Sequence, residues 1–274
     1  MKSSCIFVPM EEIMNKKEKI ELAKEAYLSG DKKLAKKIHD ENIEMHSTGS
    51  GKYLKNLVYG GLDGIITTFA IVAGVTGANL SAKVILILGF ANLFADGISM
   101  SVGDYLSSKS EQEYNLMERN RETWEMEQYP EGEIREMKEL YMEKGMSQED
   151  ADSVVNTMAK YKELFIDVMM AEELEILEDY ESPLGAALVT FASFLILGFV
   201  PLAATAFSSF VPLFANNTFL VSSIMTGIML FVLGVIKSKV SGANPLKSGL
   251  EMLALGGLAA FASWMIGYLL KSIV

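Results

Sequence analysis

Four glutamates in the middle of the chain repeat one spacing, Glu122-x-x-Glu125 and then Glu133-x-x-Glu136. On a helix, residues three apart share a face. Each pair therefore presents two carboxylates together, and two facing pairs offer enough hard oxygen to chelate more than one divalent cation. Met169 and Glu173, four residues apart farther along, are placed to complete the sphere from another helix. Helical bundles that hold redox iron between carboxylates add histidine in a Glu-x-x-His pair, and residues 106–182 contain no histidine. The donor set thus favours exchangeable binding over ferroxidase chemistry. The competing reading is a solvated acidic face, since glutamate is abundant here.

A second group lies in apolar surroundings. Asp63 follows Tyr59-Gly60-Gly61-Leu62 and precedes Gly64. A carboxylate inside a bilayer costs at least ~2.5 kcal/mol unless it faces a cavity or a partner, and flanking glycines allow another backbone or a hydrated ion to come close. The alternative is an interfacial aspartate capping a helix end. Asn92, Asp96, Met100 and Asp104 recur every four residues, so they form one slowly drifting stripe on a helix, thinned alongside by Gly89, Gly97 and Gly103. Two carboxylates, an amide and a thioether suit the wall of an ion path, the thioether adding preference for softer ions such as Fe(II) or Zn(II). For Met100 alone, core or lipid packing is the ordinary alternative.

These residues must be positioned by helices. Five stretches carry the ~20 apolar residues that a membrane crossing needs. They run over about Leu57–Gly77, Ala82–Met100, Leu184–Phe207, Val211–Ile236 and Gly249–Leu270. The first two are joined by four residues, which dictates an antiparallel hairpin. Pro201 and Pro212 are expected to kink or end helices, and Glu251 to sit at the interface. The second helix shows no break at the membrane surface and should continue to about Glu127, where Pro130 stops it. Further helices are expected over Glu131–Lys144, from Ser147 (capped with Asp150), and over about Tyr161–Asp179.

Charge orients the chain. The net charge of −11 hides a segment, residues 106–182, with 22 acidic and 8 basic side chains; the remainder is about +3. That local balance argues against nucleic acid as a partner. Eleven lysines up to Lys55, the eight basic residues of the acidic segment, and Lys237, Lys239 and Lys247 fall on one side, against Lys83 and Lys271 on the other. The positive-inside bias then predicts a cytosolic N-terminus and a non-cytosolic C-terminus. No secretory signal peptide is expected, because lysines follow the short Met1–Met10 stretch. In the arm from about Lys16 to Glu44, Ile20, Ala23, Tyr27, Leu34 and Ile38 recur at helical spacing and predict one or two surface helices. His39, His46 and the lone Cys5 are assigned no metal and no disulfide.

The expected architecture is all-α: a polytopic membrane protein of five transmembrane helices, with a cytosolic helical metal-binding bundle between the second and third. The segments are a cytosolic N-terminal arm (1–56), the first two transmembrane helices (57–105), the acidic domain (106–182) and the last three transmembrane helices (183–274).

Five motifs together resemble the vacuolar iron transporter family, the iron and manganese importers of plant and fungal vacuoles and their microbial relatives. They are Gly60-Gly61-Leu62-Asp63-Gly64, Asp96-Gly97-Ile98-Ser99-Met100, Gly103-Asp104-Tyr105-Leu106-Ser107-Ser108, the run Glu118 to Glu136, and Met169-Met170-Ala171-Glu172-Glu173-Leu174. The likeness extends from about Tyr59 to the C-terminus. It implies a homodimer, not an enzyme, that exchanges cytosolic Fe(II) for protons, with Mn(II) or Zn(II) as other candidate ions and no tightly bound cofactor. It places Asp63 and Met100 in the translocation path. It makes Glu122, Glu125, Glu133, Glu136, Met169 and Glu173 ligands of the cytosolic domain. The membrane would be that of a vacuole or other acidic organelle in a eukaryote and the plasma membrane in a prokaryote. A reading from another class is a membrane-anchored protein that binds, oxidises or senses iron without moving it. The intramembrane aspartates count against that reading, because an anchor has no use for them.

Overall fold

The computed structural model describes residues 22, 25–40, 53–176, 182–211, 214 and 217–273. Its elements are helices: α1 (Lys32–Asp40), α2 (Leu54–Gly77), α3 (Ala82–Gln128), α4 (Pro130–Glu143), α5 (Gln148–Met158), α6 (Lys162–Glu172), α7 (Pro183–Ala206), α8 (Thr218–Ser241) and α9 (Pro245–Leu270). Five of them, α2, α3, α7, α8 and α9, are long and apolar enough to cross a membrane. The chain is a multi-pass membrane protein. Its first 54 residues and the rest form separate units.

In the N-terminal unit, Ala26 and Ile38 are buried together, with Leu22, Leu34 and Ala35 packed on them. Tyr27 points outward, 84% exposed, contrary to the expected stripe. Ala26, one helical turn after Leu22, takes the inward position instead, ahead of the turn at Gly30 with its φ of +66°. Ile20, Ala23 and His46 lie outside the described residues.

In the larger unit, α2 is the element around which the spans pack. Its residues Phe69, Val72 and Val75 share a core with Ile85 and Leu93 of α3 and Phe194 and Leu202 of α7. Its Ile65 shares another with Leu230 and Leu233 of α8 and Met252 of α9. The approach of α2 to α7 depends on missing side chains. A Cβ on Gly64 would lie 2.5 Å from the Phe194 carbonyl oxygen, and one on Gly198 would lie 2.8 Å from that of Gly64. Backbone meets backbone there, and neither can yield. The carbonyl of Pro201, inside α7, accepts a hydrogen bond from Ser222 Oγ of α8 at 2.7 Å, a buried cross-helix tie.

Two expected boundaries move. The fourth span begins at Thr218, not near Val211. Phe207–Val211 forms a turn, with Phe210 and Val211 N–H groups donating to the Phe207 carbonyl, and hydropathy does not distinguish an apolar turn from a helix. The last helix of the acidic segment ends at Glu172, well before Asp179, and Glu175 takes a left-handed φ of +55°. Residues 177–181 lie outside the described set. Other expectations hold. α3 runs unbroken for 47 residues to Gln128, with Pro130 opening α4. Ser147 Oγ accepts from the Asp150 N–H at 3.2 Å, capping α5.

Placing a methyl group at Gly64 therefore lowers stability. Gly64→Ala is expected to cost about 1–3 kcal/mol through overpacking. Gly257→Ala, where nothing lies within 4 Å, is expected to be neutral or stabilising. Thermal unfolding of both variants in detergent checks this; equal midpoints for the two would refute the backbone-contact account.

Candidate metal centre

The charged half of α3 packs with α4, α5 and α6 around Met126, Met137, Val155, Phe165 and Met169. Ion pairs fasten the rim. Arg119 of α3 reaches Asp167 at 2.6 Å and Glu163 at 3.3 Å on α6, and Lys138 of α4 reaches Asp152 of α5 at 2.8 Å. Lys144 pairs with Glu172, and Lys162 with Glu127.

This packing gathers the glutamates. Glu122, Glu125 and Glu133 each turn one oxygen so that the three lie within 4.8 Å of one another, near enough for a single cation to touch all three. Glu122 and Glu133 are 2% and 5% exposed, so their charges cannot be left to bulk water. Burial pushes Glu133 up to about 7, with repulsion from Glu122, Glu136, Glu125 and Glu173 adding to it. Burial likewise raises Glu122, opposed by the hydrogen bond from Arg121. Glu173 is raised by burial first and then by Glu122 and Glu136. Glu136 and Glu173 are thus coupled to the cluster by charge from more exposed positions. Among the described residues, Glu133 Oε2 is buried without a hydrogen-bond partner. A buried acceptor left without a donor is destabilising, and a bound cation would satisfy it. The donor set is hard oxygen, as an Fe(II), Mn(II) or similar ion accepts. Met169 is fully buried in the adjoining core, one turn before Glu173, whose N–H donates to the Met169 carbonyl at 3.0 Å.

The membrane group is arranged as a ladder between α2 and α3. Asp104 Oδ2 accepts from Asn56 Nδ2 at 2.7 Å and from Thr190 Oγ1 at 2.6 Å, joining α3 to α2 and α7. Two helical turns inward on both antiparallel helices, about 10 Å deeper, stand Asp63 on α2 and Asp96 on α3. Met100 lies between these rungs on α3 and packs partly buried on the core of Phe194 and Leu202. Asp63, Asn92, Asp96, Met100 and Asp104 are all intermediate in burial, neither sealed in nor free. Sequence reasoning missed Asn56, Thr190, Glu118 and Arg121. A polar residue seven positions before Asp63 was the available signal for Asn56. Arg121 was signalled by its setting, with glutamates at i−3, i+1 and i+4.

The raised Glu133 has a consequence for stability. The unfolded chain loses this proton near 4.5, whereas the folded chain keeps it to about 7. The folded state binds more protons between those values, so this group makes stability fall as pH rises through that window. Without divalent metal, Glu133→Gln is expected to exceed wild type by about 1–2 kcal/mol at pH 8, after discounting for screening, and to match it below pH 4.5. Thermal unfolding across pH in the presence of chelator tests this; a difference that does not depend on pH would contradict it.

The VIT family model matches residues 54–268. The chain is 41% identical over 249 residues to the vacuolar iron transporter of Toxoplasma gondii, covering 88% of this chain and 82% of that one. It is 37% identical over 263 residues to the vacuolar iron transporter of Plasmodium falciparum, covering 91% and 96%. It is 31% identical over 228 residues to vacuolar iron transporter 1 of Arabidopsis thaliana, covering 83% and 89%. A likeness that takes in every spanning helix and the acidic bundle between them identifies this chain as a member of the VIT family.

Proposed function

We propose that this chain carries Fe(II) out of the cytosol into an acidic compartment in exchange for protons, with Mn(II) as a second cargo. One observation carries the reading. A single unbroken helix, α3, bears Asp96 and Met100 in its apolar half and Glu122 and Glu125 in its charged half. A cation-collecting cluster and a polar intramembrane stripe on one rod are what a transporter needs and what an anchor does not. The relatives named as vacuolar iron transporters support the choice of metal.

In this reading residues 106–182 form a cytosolic domain that collects metal through Glu122, Glu125, Glu133, Glu136, Met169 and Glu173. The lysine bias supports a cytosolic N-terminus and arm. Residues 57–105 and 183–274 form the membrane part of each subunit of a homodimer, with Asp63, Asn92, Asp96, Met100 and Asp104 along the path. Ligand carboxylates must be ionised to hold metal, so metal and proton compete for them. A proton entering from the acidic side displaces metal from the Asp63–Asp96 rung and returns on the carboxylate. Glu133, which titrates at about 7, makes collection sensitive to cytosolic pH, with affinity falling as pH falls through that value.

Three outcomes are expected. In proteoliposomes with an imposed pH gradient, Asp63→Ala and Met100→Ala each reduce Fe(II) uptake about tenfold or more. Wild-type rates in both would remove the path, and uptake indifferent to the gradient would remove proton exchange. Replacing Glu122, Glu125, Glu133 and Glu136 together by Ala lowers uptake without ending it and abolishes the metal binding that weakens with acid; unchanged binding would defeat the ligand assignment. Cysteine labelling should find positions 110–175 and 239 on one face and 217 and 271 on the other.

A further inference from the structure

Arg121 stands among the carboxylates that the proposed function makes metal ligands. Its guanidinium lies 2.9 Å from Glu118, 3.1 Å from Glu122 and 3.7 Å from Glu125. Each contact uses a different nitrogen: Nη1 for Glu118, Nη2 for Glu122 and Nε for Glu125. The arginine is half exposed, while Glu118 and Glu122 are almost fully buried. The Glu122 oxygen that accepts from Nη2 also carries lone pairs that an ion would need.

We propose that Arg121 is a tethered competitor of the metal, a cation on the same helix that occupies Glu122 and Glu125 until an ion displaces it. The proposal rests on the metal-binding reading of these glutamates. Glu118 gives it a mechanism. This buried carboxylate is outside the ligand set and holds Nη1, so the guanidinium can let go of Glu122 and Glu125 while staying anchored. Its exposed side gives it room to swing. The orphaned, buried Glu133 Oε2 opposite marks where a cation is still wanted with the arginine in place.

The competition has a use. Several carboxylates sharing one cation would hold a divalent ion tightly and release it slowly. A fixed positive charge beside the ion lowers affinity for every divalent cation alike, and it keeps the glutamates ionised and the bundle folded between ions. Arg121 is therefore a residue that tunes affinity and release; it is not a ligand.

The test uses full-length protein in detergent with Mn(II) as the probe, free Mn(II) being read by its electron paramagnetic resonance signal. Arg121→Gln is expected to tighten binding about tenfold, with a stronger dependence on salt, because the site is then more negative and no competing ion pair is left for salt to loosen. Arg121→Lys, which keeps the charge, should stay near wild type. Glu118→Gln should weaken binding, because it leaves the arginine wholly on Glu122 and Glu125. It should do so less in the Arg121→Gln background, where no competitor remains. The fourfold glutamate variant separates the two ideas. Wild type binding no better than that variant means the metal site itself is wrong. Wild type binding better, with Arg121→Gln no tighter than wild type, overturns the competitor alone. If Arg121→Gln fails to fold, as judged by unfolding with saturating Mn(II), Glu118→Gln decides, since unchanged Mn(II) binding in that variant is likewise incompatible with the proposal.

Discussion

Carboxylates held away from water need a positive partner or a proton, and this molecule is organised around that need. Glu122 and Glu133 are buried where helices meet, and their oxygens converge with that of Glu125. Burial alone would drive such groups to the neutral form. The response differs by position. Glu133 is displaced towards neutrality at about 7, while Glu122 is steadied by a guanidinium. In the spans, where no arginine is at hand, Asp104 takes hydrogen bonds from an amide and a hydroxyl.

The membrane half answers the same need with geometry. α2 and α7 approach closely at Gly64 and Gly198, and Asn56 of α2 and Thr190 of α7 both donate to Asp104 of α3. Bulkier residues at these crossings would force α2 and α7 apart. The glycines around Asp63 therefore serve the carboxylate by controlling what lies beside it. The cross-helix tie from Ser222 to the Pro201 carbonyl does similar work on the other side of α7.

Much of this was legible in the sequence because the signals were local. Twenty apolar residues define a span, Pro130 stops α3, and Ser147 with Asp150 caps α5. The repeated Glu-x-x-Glu spacing gave the cluster because α3 and α4 are consecutive helices. What escaped was set by tertiary register. Asn56 and Thr190 are 48 and 86 residues from Asp104, and nothing in their own neighbourhoods says that three helices meet there. The start of α8 escaped because Val211 and its neighbours are as apolar in a turn as in a helix. Arg121 escaped for a subtler reason. Glutamates at i−3, i+1 and i+4 all lie within reach on an isolated helix, and only the bundle shows which of them are buried and must be neutralised.

The length of α3 also fixes an angular relation. At 3.6 residues per turn, eighteen residues make five whole turns, so Glu122 lies almost directly above Asp104, about 27 Å along the axis. Positions 108, 111, 115 and 118 fall on the same line, and they are Ser108, Glu111, Asn115 and Glu118. Every one of them offers a side-chain oxygen. Because α3 is one continuous helix over Ala82–Gln128, the proposed route from the cluster towards the membrane would offer an ion a new oxygen at each turn, like rungs on one rail.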